Sequence, residues 1–266
     1  MRYGREYTKF KFFCNNKNHF YDEMLGRMAI FCHLWAMKVA VLLAGGSGRR
    51  MGGPEPKQFI EITGRTILEH SIRAFSRHDE IDCIVIVSHA DFIDRVENIA
   101  KPYPKVKKVV VGGKERYDST LNAIKAVKEM GADDAYLLIH DAVRPLVSQR
   151  IITDCIAALQ NYNAIDVAIP CTDTIIEVNA DGHICRIPQR ATLRNVQTPQ
   201  CFTLATIAKA YEIGLKDPGF VTTDDCGVVH RYLPEEPIYV VAGETTNIKV
   251  TYPEDLILAN NILAKE

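Results

Sequence analysis

The chain has 266 residues, of which 47% are hydrophobic and 24% are charged, and its formal net charge is −1 at pH 7. These values are ordinary for a soluble globular protein with a substantial core, and they provide no global attraction to nucleic acid or to an anionic membrane. Any site for a polyanion must therefore be local. The eight cysteines show neither C-x-x-C nor Cys/His ligand spacing, which argues against structural zinc or a disulfide framework and favours a reducing cytoplasm.

The first segment, residues 1–36, does not match the rest of the chain. It is rich in aromatic and basic side chains and has neither a sustained period nor helix caps. Its longest apolar stretch, residues 28–35, is too short to span a bilayer, and the pattern of a signal peptide is missing. We expect Met37 to be the real start and residues 1–36 to be an extension outside the fold. The alternative is a tail that touches a membrane.

From residue 38 onward, short apolar runs alternate with segments of helical spacing. The runs KVAVLL, IDCIVIVS, VKKVVVGG, DAYLLIHDA and AIDVAIP predict strands, and residues 66–78, 117–130 and 149–159 predict helices. This alternation is typical of βαβ units. It predicts a single Rossmann-like α/β domain over residues 37–266, with a mostly parallel twisted sheet and helices on both faces. Ligands of such sheets bind beyond the carboxyl ends of the strands.

Residues 171–190 interrupt the alternation. DTIIEV, an Asn-Ala-Asp-Gly turn and HICRI predict a hairpin that leaves the sheet. A two-stranded ribbon is marginal alone and usually packs on something, often a second subunit. Further along, IYVVAG predicts another strand, and Pro253 followed by two acids predicts the start of a helix.

The stretch VLLAGGSGRRMGGPEPKQF follows the first predicted strand. It is not a Rossmann fingerprint, because Met51 stands where the third glycine would be, and it is not a P-loop, because Pro54 stands close to where Gly-Lys-Ser/Thr is needed. The remaining interpretation is a small-residue turn whose N–H groups can approach phosphates or a base. Arg50 and Lys57 then lie in a loop stiffened by prolines. The alternative is a tight turn with two solvated cations.

Six motifs resemble, in order, those of the 2-C-methyl-D-erythritol 4-phosphate cytidylyltransferase family, whose close relatives use ribitol 5-phosphate. They are LAGGSGRRMGGPEPKQF, GGKERYDST, HDAVRP, DTII, RATLRNVQTPQ and NIKVTYPEDL, and the resemblance covers residue 38 to the C-terminus. It implies transfer of a cytidylyl group from CTP to a polyol phosphate, with release of pyrophosphate and with Mg²⁺ bound mainly by the CTP phosphates.

The resemblance also implies roles for individual residues. The catalytic cations are Arg50 and Lys57. The CTP-binding residues are Ala44, Gly45, Gly46, Gly48, Gly113, Arg116 and Ser119, and the residues that bind the polyol phosphate are Asp141, Thr174, Arg190, Thr198 and Lys249. The resemblance further implies a homodimer in which the 171–190 β-arm enters the partner's site.

The acceptor and the function class each have alternatives. Val143 and RIPQR point to ribitol 5-phosphate, whereas the compact length and TDDCGVV point to methylerythritol phosphate, which we favour. A non-catalytic nucleotide-binding regulator would lose Arg50 or Lys57, yet both are present. A sugar-nucleotide glycosyltransferase would need an Asp-x-Asp metal motif, and Asp173 in TDT lacks the second acid.

Overall fold

The computed structural model describes residues 36–46, 51 and 55–265. Within them the strands are β1 (Lys38–Ala44), β2 (Glu61–Ile62), β3 (Arg65–Thr66), β4 (Cys83–Ser88), β5 (Val106–Val111), β6 (Tyr136–Asp141), β7 (Ala164–Pro170), β8 (Glu177–Val178), β9 (Ile184–Arg186), β10 (Arg194–Thr203) and β11 (Ile238–Ala242). The helices are α1 (Ile67–Ser76), α2 (Ile93–Ala100), α3 (Arg116–Glu129), α4 (Gln149–Ala158), α5 (Leu204–Gly214), α6 (Asp225–Tyr232) and α7 (Pro253–Leu263). Short 3-10 turns occupy Lys57–Phe59, Ala90–Phe92 and Arg190–Thr192.

Seven strands form one sheet in the order β11-β7-β10-β6-β1-β4-β5. The neighbours β1–β4, β1–β6, β4–β5 and β7–β11 are parallel, whereas β10 runs antiparallel to both β6 and β7. The predicted α/β class with a mostly parallel sheet is confirmed. Residues 1–35 lie outside the described part of the chain, so the expectation for the N-terminal segment stays a prediction.

The central strands are buried because helices cover both faces of the sheet. On one face, Val39 and Leu137 belong to the same apolar cluster as residues of α3, α5 and α6. On the other face, Phe75 of α1 makes an edge contact with the His140 ring, and α1 also contacts α4. This double covering explains why the strands read as continuous apolar runs rather than as alternating ones.

The helix ends follow local capping rules. The side chain of Thr66 accepts from the Glu69 N–H at the start of α1, and Ser148 does the same for Ile151 at the start of α4. Helix α7 begins at Pro253, as the sequence predicted. Among the described residues, no helix combines the length and the apolar character needed to cross a membrane.

Strand β10 was not assigned from the sequence. Its first half is polar and it contains Pro199, both of which argue locally against a central strand. The structure accommodates the proline because the register with β7 shifts between Gln197 and Cys201. Insertion of β10 between β6 and β7 also brings Thr198 next to the end of β6.

The predicted hairpin is present as an exposed two-stranded ribbon of β8 and β9. Its turn ends at Gly182, whose φ of +81° favours glycine. Its large apolar side chains face solvent in this single chain: Ile175, Ile176, Val178, Ile184 and Ile187.

Candidate active site

A cleft of about 770 Å³ opens at the carboxyl ends of β1, β4, β5 and β6. Its lining comes from residues at or directly after those strand ends, such as Ala44, Gly112 and Asp141. The 3-10 turn Lys57–Phe59 and the loop after β11, which carries Lys249, supply further lining residues. The cleft therefore lies where ligands bind in open parallel sheets.

Most of the site residues predicted from the sequence meet in this cleft. Those that line it are Ala44, Gly45, Gly46, Lys57, Gly113, Arg116, Ser119, Asp141 and Lys249. Gly48 and Arg50 lie outside the described residues, so their placement stays a prediction. Thr198 is buried behind the end of β6, and Thr174 and Arg190 are exposed in the ribbon region; in the described part of the chain, these three are not among the lining residues.

Two backbone turns face each other across one end of the cleft. The carbonyl of Ala44 at the end of β1 accepts a hydrogen bond from Gln58 Nε2 at 2.9 Å. At the end of β5, the Gly113 N–H donates to Ser119 Oγ at 3.4 Å, and a Cβ at position 113 would overlap the Asp118 side chain. Glycine is therefore required at position 113 for this close packing. The two turns leave backbone, rather than side chains, to contact a ligand.

Lys57 is almost fully buried at 8% exposure, yet it lines the cleft. Its Nζ donates to the carbonyl oxygen of Val250 at 2.8 Å. This bond joins the 3-10 turn to the loop that carries Lys249, although the bonded residues are 193 positions apart. The structure therefore brings the predicted catalytic lysine to the same cleft as the predicted substrate cation.

Asp141 is the electrostatic centre of the described cleft. Its Oδ2 lies 2.7 Å from Lys249 Nζ and 4.0 Å from Arg144 Nε, and its Oδ1 lies 3.8 Å from Arg116 Nε. Burial alone would raise the pKa of this carboxyl, but Lys249 and the two guanidinium groups outweigh burial and hold the pKa at about 2. Asp141 is thus a permanent acceptor, suited to substrate hydroxyls.

Thr198 serves Asp141 from behind. His140 Nε2 lies 3.0 Å from the Arg144 carbonyl oxygen, which can only accept, so we assign the ring proton to Nε2. Burial lowers the pKa of His140 to about 4, which keeps the ring neutral. Its Nδ1 then accepts from the Thr198 hydroxyl at 2.9 Å, while the Thr198 oxygen accepts from the Asp141 N–H at 3.1 Å. In this structure the Thr198 proton is used inside the protein, and a direct contact with substrate stays a prediction.

The loop that carries Lys249 is fixed by buried polar contacts. Arg144 Nη1 donates to the Asn247 carbonyl oxygen at 2.8 Å, and Asn247 Nδ2 donates to the Thr198 carbonyl oxygen at 2.9 Å. Asn247 is fully buried. These bonds agree with the expectation that Arg144 supports this region, and they join the loop to β10.

The sequence analysis missed three residues that hold the site. Gln58 lies in PKQF, Asn247 in NIKVT and Asp225 in TDDCGVV, so each belongs to a motif that was quoted without a role for that residue. Asp225 is fully buried, and its carboxylate pairs with Arg116. Their common signal is a polar residue next to a predicted site residue in the same motif, or in a polar motif without an assigned role.

Comparison with known proteins agrees with this site. The model of the 2-C-methyl-D-erythritol 4-phosphate cytidylyltransferase (IspD) family matches residues 38–265. A protein of that name from Thermobifida fusca is 46% identical over 230 residues, which cover 84% of this chain and 92% of that protein. The bifunctional ribulose 5-phosphate reductase/CDP-ribitol pyrophosphorylase Bcs1 of Haemophilus influenzae is 48% identical over 227 residues, but these cover only 48% of that protein.

A solved structure extends the likeness to the fold. The crystal structure of 4-diphosphocytidyl-2C-methyl-D-erythritol synthase from Anaerococcus prevotii aligns with a TM-score of 0.77 at 33% identity, covering 89% of this chain and 99% of that one. The family match spans the strands and loops that form the cleft. The chain belongs to the 2-C-methyl-D-erythritol 4-phosphate cytidylyltransferase family.

Proposed function

We propose that the chain condenses CTP with 2-C-methyl-D-erythritol 4-phosphate to give 4-diphosphocytidyl-2-C-methyl-D-erythritol and pyrophosphate, and that it does so in the cytoplasm. A phosphate oxygen of the acceptor attacks the α-phosphorus of CTP, and the bond from that phosphorus to the bridging oxygen of the β-phosphate breaks. The observation that carries the proposal is the meeting of the two glycine turns, Lys57 and the Asp141–Lys249 pair in one cleft of a family member.

Charge repulsion between CTP and the acceptor is the main barrier to this reaction. Lys57 and Arg50 are the cations that we assign to the reacting phosphates, where negative charge develops during attack. Burial of Lys57 supports this role, because a charge in a desolvated setting acts more strongly than one in water. The arginine offers a planar fork to two oxygens, and the lysine a compact point charge.

The turns at Ala44–Gly46 and Gly112–Gly113 are assigned to the nucleotide, with Ser119 and Arg116 beside them. At the other end of the cleft, the Asp141 carboxylate accepts from acceptor hydroxyls and the Lys249 ammonium binds the acceptor phosphate. Lys249 is 40% exposed in its side chain, so a phosphate can reach it from solvent. A phosphate monoester carries about −1.5 to −2 charges at pH 7, which favours a second cationic contact.

We assign that second contact to Arg190 of the partner subunit in a homodimer. Within one chain, Arg190 and Thr174 lie outside the lining of the described cleft, and Arg190 only donates weakly to the Thr172 carbonyl oxygen at 3.3 Å. The ribbon beside them carries exposed isoleucine and valine side chains, which a partner would cover. Both observations support an arm that is exchanged between subunits.

The reaction calls for Mg²⁺, and the residues present fit an ion held mainly by CTP. In the described residues no group of three or more His, Cys, Asp or Glu side chains could hold a metal. Asp141 faces the cleft, but its charge is already matched by Lys249. Mg²⁺ commonly keeps several waters and binds substrate phosphates with one or two carboxylates at most. When bound there, the ion would neutralise phosphate charge and orient the triphosphate.

Ribitol 5-phosphate is the second candidate acceptor. It is favoured by the 48% identity to the Haemophilus influenzae protein, whose name includes CDP-ribitol pyrophosphorylase. The two acceptors differ by little more than chain length and one methyl branch, which a pocket distinguishes by only about 1–3 kcal/mol. The cleft geometry therefore supports both, and the first is preferred because the family model and the Thermobifida fusca protein carry its name.

The test is a pyrophosphate-release assay with each of the four common nucleoside triphosphates against both polyol phosphates. We expect release with CTP and 2-C-methyl-D-erythritol 4-phosphate, at a kcat/KM at least ten times that with ribitol 5-phosphate. The reverse preference would replace the first candidate by the second. Release with ATP or GTP but not with CTP would contradict the assignment of the cleft to cytidylyl transfer.

A further inference from the structure

Arg116 reaches from the cleft into the protein interior, where it meets a carboxylate with no role so far. Its Nη1 lies 2.6 Å from Asp225 Oδ2, and Asp225 is fully buried. The other oxygen, Asp225 Oδ1, accepts from the Tyr211 hydroxyl at 2.6 Å. Arg116 itself lines the cleft and is 29% exposed in its side chain. One guanidinium therefore joins a buried carboxylate to the substrate cleft.

Asp225 is held in place by the sheet. Its backbone N–H donates to Gln200 Oε1 at 3.0 Å, and Gln200 lies on β10. Asp224, the residue before it, caps α6 by accepting from the Gly227 N–H at 2.8 Å. The backbone and both carboxylate oxygens of Asp225 are thus fixed, so its position does not depend on Arg116 alone.

Arg116 lies between two carboxylates. The second is Asp141, whose Oδ1 is 3.8 Å from Arg116 Nε, while Asp141 also pairs with Lys249 at 2.7 Å. Burial works against the charge on Arg116, but Asp225 and, less strongly, Asp141 raise its pKa above the ordinary value. A short charge-assisted bond to a buried partner is much stronger than a 3.8 Å contact at the edge of a cleft.

We propose that Asp225 is a positioning residue that holds the Arg116 guanidinium on the nucleotide side of the cleft and off Asp141. The inference rests on the proposed function and deepens it, because it explains how three cations and one cleft carboxylate stay separated. Without the Asp225 charge, Asp141 becomes the nearest anion for Arg116. The guanidinium then moves toward Asp141, competes with Lys249, and leaves the nucleotide.

The first test is Asp225→Asn, which keeps the shape and removes the charge. We expect KM for CTP to rise about ten-fold, the loss of one hydrogen bond to a charged group, while kcat changes less than three-fold. The matched control is Tyr211→Phe. It removes the other bond to Asp225 but leaves its carboxylate on Arg116, so the melting temperature falls while KM for CTP stays within about two-fold. Equal KM changes in both variants would overturn the proposal, because they would indicate general loosening.

A double-mutant cycle isolates the action through Arg116. In an Arg116→Gln background, Asp225→Asn should raise KM for CTP by less than two-fold, because the residue that Asp225 positions is gone. Its effect on melting temperature should persist. A ten-fold rise in both backgrounds would overturn the proposal.

Crystal structures give a readout that does not depend on turnover or on the folding of a variant. In the wild-type protein, with and without CTP, Arg116 should stay within about 3 Å of Asp225, the distance of a charge-assisted hydrogen bond; movement onto Asp141 would overturn the proposal. If the wild type lacks cytidylyl transfer but this geometry and the CTP-binding cycle hold, only the proposed function fails. If it turns over CTP and the cycle is additive, only the inference fails.

Discussion

Asp141 shows how single residues determine the chemistry of the cleft. Burial would make this carboxyl hard to ionise, yet three cationic neighbours hold its pKa at about 2. The carboxylate is therefore charged throughout the pH range of ordinary assays. Any acid limb in the pH–rate profile above pH 4 must then come from another group, such as the substrate phosphate, whose second pKa is about 6.

Lys57 is the residue on which catalysis depends most directly in this account. We expect Lys57→Met, which keeps the side-chain volume, to lower turnover by roughly 10²–10³-fold, equivalent to about 3–4 kcal/mol of lost transition-state stabilisation. The melting temperature should fall by only about 2–4 °C, because one hydrogen bond, to Val250, is lost. Pyrophosphate release and a thermal melt measure the two effects.

The control for this prediction is Lys107→Met. Lys107 is an exposed cation outside the described cleft lining, so its loss removes the same charge with no effect on turnover. Near-normal turnover in Lys57→Met would remove the catalytic assignment of that residue.

Asp166 makes the stability of the protein depend on pH. Burial raises its pKa to about 6, the nearby Asp224 adds to the rise, and the hydrogen bond from Gln200 opposes it. The model value is 3.8, so the folded protein holds this proton more tightly than the unfolded chain does. The free energy of unfolding from this group is therefore greatest below pH 3.8, and it falls as the pH rises through about 6.

Asp166→Asn tests this dependence, because asparagine mimics the protonated form. We expect its free energy of unfolding to exceed that of the wild type by up to about 3 kcal/mol at pH 7.5, with the gap nearly closed at pH 4. Urea titrations at the two pH values measure it. The exposed Asp133→Asn should differ from the wild type by less than about 0.5 kcal/mol at both. A gap of equal size at pH 4 and pH 7.5 would contradict the assignment.

Residues of the cleft were predictable where they follow a strand directly. Gly113 and Asp141 lie at the ends of apolar runs, and the ends of parallel strands meet at one edge. The bond between Arg116 and Asp225 was not predictable, because 109 positions separate the two residues and no local pattern relates them. The same holds for Thr198, whose hydroxyl reaches Asp141 only because β10 lies beside β6.

At the scale of elements, the periodic segments were predicted well and β10 was not. Helices α1, α3 and α4 and the parallel strands carry apolar patterns that agree with their final burial. Strand β10 begins with exposed polar residues and includes a proline, so its place in the sheet comes from long-range pairing rather than from local propensity. The hairpin of β8 and β9 was predictable from its turn residues.

The ribbon is the element that tests subunit exchange. If Arg190 acts in the partner's site, Arg190→Ala and Lys57→Met each inactivate a homodimer, but a mixed dimer has one intact site. Random exchange makes half of the dimers mixed, so we expect about a quarter of wild-type activity after the two variants are co-refolded. Activity no higher than that of the separate variants would contradict the shared site.

Arg186→Ala is the matched control for this experiment. Arg186 lies on the same ribbon and pairs with Glu177 at 3.0 Å, in an exposed salt bridge of little energetic value. Alone it should retain nearly full activity, which would show that loss of a ribbon cation is not in itself disruptive.

At the scale of the whole molecule, net charge gives little information about function. A chain with a formal charge of −1 presents Lys57, Arg116 and Lys249 in one cleft, with Arg144 behind Asp141. Four chain segments far apart in sequence supply these residues and the backbone turns, so only the folded sheet brings them together. Membership of the family, the fold and the cleft all describe the same part of the chain, residues 38–265.

The most direct measurement is a crystal structure of the protein with CTP and Mg²⁺. We expect the cytosine and ribose beside Gly113 and Ser119, the triphosphate over Gly45 and Gly46, and Lys57 Nζ within hydrogen-bond distance of an α-phosphate oxygen. CTP bound outside this cleft, or bound in it with Lys57 in contact with no phosphate oxygen, would contradict the account.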